Sequence, residues 1–497
     1  MLVLASVLLL LAGGAVLSGT VMLARHLLAP AEKNEPAGVE VVPTPERPAE
    51  SAEVSGPKLS PAAPLIPGPV EREHAVALPG PVAAIIPGGG GRYFAAHVPS
   101  AERVIVYDTA LRKIAGEVPG TSGTALMAAG RESLFVGRDA DTNFIRWDFK
   151  TARQEAVSLP PRAQPLRYVA MGAASDGPMV LVTKDTTRGE LVLIDPATRA
   201  DRTFPIDDVT STFPMQIPYR YSTNKDNLPK PVPSSDGRAI VFRNGALIRD
   251  GARFRALILS TPTAVRPAAD GRTFLNRSVF SDQGLLLQPV VPVTENHRRL
   301  LPAISGPFHV ALEQNRVAPV TPGGPVRLTL YSNGAPGPLG SLPVPPELRD
   351  WVLSDRKEWV VNVEHHLFFA PDPGVLLFHP PGADWMYVHR VDMESFLDAA
   401  GGGPLFTTTP PAEVFRGRPF TYQARAIAKG DVSYWQTGGP SGMHVSPEGL
   451  ITWPASVTGT FAGSTVEMRV TARDQNRRET VQTFKLVLVN PLKAPPK

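Results

Sequence analysis

Cysteine is missing from the chain altogether. That excludes a disulfide framework, a thiol nucleophile, a zinc–thiolate or iron–sulfur site and a lipid-modified cysteine anchor. Net charge is nearly missing too. Fifty basic and 46 acidic residues in a chain of 497 leave only +4, too little for a dedicated nucleic-acid binder. The sequence contains no His-Glu-x-x-His, no Gly-x-Ser-x-Gly and no Walker-type phosphate loop, so the local signatures of zinc proteases, serine hydrolases and P-loop enzymes are lacking. Long helices are disfavoured as well. Proline supplies 54 residues, about twice the usual share, and each interior proline removes a helix donor and clashes with the preceding turn.

The first part of the chain is the exception in hydrophobicity. Met1 to Ala24 carries no charged side chain, with Arg25, His26 and Lys33 following. About 20 apolar residues suffice to cross a bilayer, and the basic start and short apolar core of a cleaved signal are lacking. Residues 1–28 are therefore expected to form a single-pass transmembrane helix. Lys and Arg beside the span would by themselves hold the remainder in the cytoplasm. The acidic stalk and the modules beyond it favour an extracytoplasmic placement at the cell membrane, which is the expectation. Residues 29–75 hold ten prolines and eight glutamates without apolar periodicity, and read as a disordered, semi-rigid linker.

From residue 76 to 400 the texture becomes short β-rich runs. Val104-Ile105-Val106-Tyr107-Asp108, Phe144-Ile145-Arg146-Trp147-Asp148 and Leu191-Val192-Leu193-Ile194-Asp195 share one pattern, their aspartates 40 and then 47 residues apart. Asp236-Gly237-Arg238 and Asp270-Gly271-Arg272 each lead into an apolar run. Four short strands and their turns take up about 40–45 residues, the size of one propeller blade, and Asp-Gly turns supply the positive φ of tight hairpins. These residues resemble WD40-like β-propellers, and Trp147-Asp148 matches that repeat's closing dipeptide. About seven blades are expected. Residues 207–233 break the rhythm as an insertion, and Phe213, Tyr219, Tyr221, Lys225 and Asp226 within it form a candidate binding loop. The Gly88–Gly91 run leads into a strand-like segment, so it reads as a turn and not a dinucleotide cradle.

Residues 408–490 form a second all-β unit. Val466, Met468, Val470 and Ala472 alternate with polar residues, the period of a strand with one buried face. The segment from Gly439 to Pro454, with Gly442, Met443, Gly449, Leu450 and Trp453, resembles the central hairpin of Ig-like or dystroglycan-type cadherin-like modules of bacterial surface proteins. Val470 to Asp474 fits their penultimate strand. Met443, Val445, Leu450 and Ile451 are expected in the core, with Trp453 as its anchor. Arg477 and Arg478 follow Asp474 where a calcium site would want anions. Residues 410–497 carry eleven basic against six acidic side chains, which reads first as a solvated basic face and second as a surface that would attract an anionic envelope polymer.

Histidine supplies no recognisable constellation. His365 and His366 are adjacent, and in a strand would face opposite ways; His379 and His389 have no carboxylate pair beside them. The expectation is therefore an all-β, membrane-anchored cell-envelope protein with a propeller and an Ig-like sandwich, binding an unidentified protein or polymer. No cofactor, metal, catalytic residue or nucleic-acid partner is expected. The alternatives are a propeller enzyme with a channel active site, carbohydrate-active or quinone-dependent, and an intracellular membrane-tethered WD40 scaffold.

Overall fold

The computed structural model describes residues 73–490 except 139–141, 163–164, 184–189, 198, 200, 206–229, 243–244, 251–252, 259–264, 276–278, 282–285, 289–295, 316–325, 334–337, 355–362, 396–402, 412 and 462–464. The expected anchor and almost all of the expected linker lie outside the described residues. Among the described residues, no helix is long and apolar enough to cross a membrane.

The described chain is all-β with few helices, and its strands gather into successive four-stranded antiparallel sheets. The chain opens with β1 (Glu73–Ala77). The first sheet then follows as β2 (Ala84–Gly88), β3 (Tyr93–Val98), β4 (Arg103–Asp108) and β5 (Lys113–Pro119). The second is β6 (Ala125–Ala129), β7 (Ser133–Arg138), β8 (Asn143–Asp148) and β9 (Gln154–Ser158). The third is β10 (Leu166–Ala170), β11 (Met179–Thr183), β12 (Glu190–Ile194) and β13 (Asp201–Pro205). The fourth is β14 (Val232–Pro233), β15 (Ala239–Phe242), β16 (Gly245–Asp250) and β17 (Arg253–Ile258). The fifth is β18 (Arg266–Pro267), β19 (Thr273–Leu275), β20 (Val279–Ser281) and β21 (Leu286–Gln288). The sixth is β22 (Asn296–Pro302), β23 (Phe308–Asn315), β24 (Val326–Ser332) and β25 (Pro338–Leu342).

Helix α1 (Pro346–Ser354) comes next, before β26 (Leu367–Ala370), β27 (Val375–Phe378) and β28 (Trp385–Arg390). These three strands make the seventh sheet with β1 on its outer edge. β1 runs antiparallel to β28, Glu73 opposite His389 and Ala77 opposite Trp385. The earliest strand thus completes the last sheet and closes a propeller-like ring. The repeat pattern gives no hint of α1, whose Leu348 and Val352 are fully buried in one core with Phe308, Leu330 and Phe378. Four residues apart, they share a helix face.

Burial explains the sequence texture. A strand in the middle of a sheet packs against neighbouring sheets on both sides, so β11 is buried at every position and reads as a continuous apolar run. The fourth strands lie outermost, and β5 and β9 are largely exposed. The aspartates that close β4 and β8, and Asp195 after β12, turn the chain towards the fourth strand. Asp108 Oδ1 accepts from the Ala110 and Leu111 amides at 2.9 and 3.1 Å. Asp148 Oδ1 accepts from Lys150 and Thr151 at 3.0 and 2.8 Å, and Asp195 Oδ1 from Ala197 at 2.9 Å. Such side-chain-to-backbone bonds are the reason aspartate starts turns.

The C-terminal module begins with β29 (Leu405–Phe406), β30 (Glu413–Phe415), β31 (Phe420–Gln423), β32 (Ala426–Ile427) and β33 (Ser433–Gly438). It continues through β34 (His444–Val445), β35 (Leu450–Trp453), α2 (Ala455–Thr460), β36 (Thr465–Arg473) and β37 (Glu479–Val489). A four-stranded sheet runs β30-β37-β36-β33 and a three-stranded one β31-β35-β34. β30 and β37 are parallel. Trp453, Ile451, Met468, Val470 and Leu486 are fully buried in a shared core. Met443 and Val445 join it, whereas Leu450, expected in the core, is only half-buried because its neighbour Ile451 takes the inward position of the strand. Gly449 has φ +86°, and a Cβ there would stand 2.4 Å from the Ala424 carbonyl. Gly442 also has a positive φ. Asp474 accepts from the Arg478 amide at 2.8 Å and its Nε at 2.7 Å, so it closes a turn.

Candidate functional site: a channel closed at one end

The first strands of the sheets, β2, β6, β10, β14, β18, β22 and β26, all contribute to the wall of one cavity of about 390 Å³. Each enters its sheet, crosses this wall and then turns through a hairpin into the second strand. The hairpins are joined to one another by backbone hydrogen bonds. Gly89 N donates to Gly130 O at 2.8 Å, Arg131 N to Ser175 O at 2.8 Å and Ala174 N to Ser235 O at 2.9 Å. Asp236 N donates to Ala269 O at 3.0 Å and Ile304 N to Phe369 O at 2.8 Å. This chain of bonds defines one face of the ring.

The four-glycine run closes the channel there. Gly90 N donates across to Ala173 O of the third sheet at 2.8 Å. A Cβ on Gly91 would lie 2.8 Å from Ala370 Cβ and 3.3 Å from Ile304 Cγ2, in the seventh and sixth sheets. Gly89, Gly90 and Gly91 have φ +59°, +67° and +100°, backbone that only glycine adopts without cost. The run is a turn, as its sequence implies, but its place at the centre of the ring was not legible locally.

The C-terminal module packs on the same face. Arg131 Nη1 donates to the Thr421 carbonyl at 2.9 Å, and Gly306 N to Thr409 Oγ1 at 2.7 Å. Asp372 accepts from Thr407 Oγ1 at 3.3 Å and Arg425 Nη1 at 3.1 Å. Arg249 pairs with Glu413. A second cavity of about 260 Å³ lies between the two Asp-Gly-Arg hairpins and this module.

Because the first strands all run towards the hairpins, residues at their beginnings mark the opposite end, the mouth. Lys230, Arg266, Glu364 and His365 line the cavity there. Arg266 pairs with Glu364, and Arg299 Nη2 lies 3.6 Å from it. Burial favours the neutral form of Glu364, but the two guanidiniums outweigh it and hold the carboxyl below its ordinary value. Lys230 and His365 keep contact with solvent, yet the walls displace enough water to lower both. Burial and then Arg266 depress Lys230, with Glu364 opposing. Burial and then Lys230 push His365 down to about 4, so it is neutral near pH 7. Farther in, the wall turns apolar through Ile86, Ala170, Met171, Val232 and Phe368.

His365 and His366 are not on a strand. His365 ends a 3₁₀ turn, Val363–His365, and lines the cavity. His366 turns away, 5.2 Å from the Trp351 ring and 5.7 Å from that of His379. His379 Nδ1 donates to the Trp385 carbonyl at 3.0 Å, a packing role. Phe213, Tyr219, Tyr221, Lys225 and Asp226 lie outside the described residues. Residues 230–233, grouped with the insertion by their sequence, instead belong to the channel wall. The mouth cluster escaped the sequence because its members sit on separate sheets. The available signal was a cation a few residues upstream of each Asp-Gly-Arg turn.

Fold and channel together define an all-β, propeller-like protein with one end of its ring capped. No family model and no curated protein matches the sequence. Among solved structures, the chain is similar to the β-propeller domain of Cps50 (Swd1) from Myceliophteria thermophila. The identity is 13%, with 64% of this chain and 99% of that one covered and a TM-score of 0.40. It is also similar to a chain of the mitotic checkpoint complex, at 10% identity, coverage of 69% and 99%, and TM-score 0.39. For U3-55K the values are 8%, 64% and 98%, and 0.38. At such distances the architecture rests on the chain's own sheet order.

Proposed function

We propose that this chain is a membrane-anchored cell-envelope binding or scaffold protein. In this reading the seven sheets are blades of a WD40-like propeller, residues 1–28 anchor it and the Pro/Glu-rich segment holds it away from the bilayer. The C-terminal module is an Ig-like or cadherin-like spacer or second contact.

The observation that carries the reading is the asymmetry of the ring. Its hairpin face is occupied by the C-terminal module through Arg131, Gly306 and Asp372, while the channel opens on the opposite rim beside Lys230 and Arg266. A rigid ring of loops suits recognition of another protein, and its cations suit an acidic segment of that partner. Catalysis in the channel is the second reading, favoured by the convergence of Lys230, Glu364 and His365. Glu364 is already engaged by two guanidiniums, which suits a structural ion pair better than proton transfer.

Two measurements test the proposal. A C-terminal tag should be lost to protease in cells whose inner membrane is still sealed; loss only after that membrane is opened would replace the envelope role with a tethered intracellular scaffold. Photo-crosslinkers at Thr124 and Arg167, on the mouth side of the wall, should yield a discrete protein adduct. Absence of any adduct from both rim positions would remove the scaffold role.

A further inference from the structure

The channel has the build of a ligand pocket independently of any protein docked on its rim. Its volume of about 390 Å³ falls within the range of small-molecule sites. Along the five-residue strands β2, β6 and β10 its wall runs about 16 Å, at roughly 3.3 Å per residue. The inner end is blocked by Gly90 and Gly91, so an occupant enters and leaves through the mouth. The inner wall is apolar, with Ile86, Ala170 and Phe368 on different sheets.

Charge at the mouth selects the head group. Lys230, Arg266 and Arg299 surround one anion, Glu364, which is shared by the two guanidiniums, and a fourth cation, Arg167, lines the wall beside them. Lys230 has no ion-pair partner among the described residues, and burial together with Arg266 disfavours its charge. An anion beside it would relieve that cost. A phosphate would seek the planar fork of an arginine, but Arg266 is committed to Glu364, and Arg167, which also lines the wall, lies over the Tyr168 ring with its guanidinium carbon 5.4 Å from the centroid. The remaining donor is a compact ammonium, a point charge matched to a single carboxylate.

We propose that the channel binds an amphipathic monocarboxylate, its hydrocarbon chain in the apolar bore and its carboxylate on Lys230. This reading does not depend on the proposed protein-scaffold role. It predicts affinity from two separable parts, the buried chain and the ammonium.

The test is calorimetric titration of the full chain with octanoate, octan-1-ol and inorganic phosphate. Octanoate should bind one to one and at least tenfold more tightly than octan-1-ol, and phosphate should neither bind nor compete. Lys230→Gln, at a solvent-accessible position, should erase the preference for octanoate while leaving octan-1-ol binding unchanged. Ala170→Phe, which narrows the bore, should weaken both ligands at least tenfold. No binding of octanoate, equal binding of octanoate and octan-1-ol by the natural chain, or an undiminished preference in Lys230→Gln would each overturn the proposal. Competition by phosphate would overturn it in favour of a plain anion site. The comparison of ligands on the natural chain holds even if Ala170→Phe fails to fold.

Discussion

Asp372, in the hairpin of the seventh sheet, accepts a hydrogen bond from Arg425 of the C-terminal module at 3.1 Å. Burial pushes this carboxyl up, and Arg425 opposes the shift. Removing the guanidinium strands a buried acid. Arg425 itself is about 45% exposed, so solvent screens part of the interaction. Arg425→Ala should therefore destabilise the docked module by about 1–2 kcal/mol. Asp372→Asn should cost less, because the amide still accepts from Thr407. Limited proteolysis of the full chain, before and after substitution, would register the loosening, and an unchanged cleavage rate would contradict it.

Among the described residues Trp453 is the largest fully buried side chain, and its indole nitrogen finds no hydrogen-bond partner among them. Its contribution is therefore apolar volume. Trp453→Ala should cost about 3–5 kcal/mol. Trp453→Phe should cost less than half as much, since it keeps a ring and removes a buried, unsatisfied donor. Chemical denaturation of the two variants would show equal losses if the nitrogen mattered more than the volume.

Gly91 combines φ +100° with a Cβ position 2.8 Å from Ala370 Cβ. Alanine there meets both backbone strain and a clash with a packed wall. Gly91→Ala should destabilise the ring by about 2–4 kcal/mol. Gly382, also at positive φ but with nothing near its Cβ position, should show only the smaller backbone cost when changed to alanine. Thermal unfolding of the pair separates strain from crowding.

Asp236 lies in an Asp-Gly-Arg hairpin facing the C-terminal module. Burial pushes its carboxyl up to about 7 from an ordinary 3.8, with Ser234 and the Arg238 amide opposing. The folded state thus keeps a proton that the unfolded chain releases, and stability must fall as pH rises from about 4 to about 7. Above that window the contribution is constant. Denaturation midpoints should decline across it by an amount on the order of a few kcal/mol, and Asp236→Asn should flatten the decline.

Local chemistry was the legible part of this fold. Asp108, Asp148 and Asp195 announce the same turn in three sheets because the side chain itself bonds the turning backbone, a rule that works within four residues. Trp147 and the apolar runs announce middle strands because two-sided burial writes itself as uninterrupted hydrophobicity. What stayed hidden depends on closure. Lys230, Arg266 and Glu364 meet only because separate strands begin at one rim, and no spacing records that. Leu450 was misplaced for a smaller reason: adjacent apolar residues on a strand cannot both face inward, and the sequence does not say which one does.

The pairing of β1 with β28 sets an order of events during synthesis. Glu73 meets its partner His389 only after more than three hundred further residues have been made. Until then β1 has no strand to pair with, and its own edge is open to any passing strand. The ring is consequently a late product of translation, and a chain interrupted before Trp385 would carry a clasp with nothing to fasten.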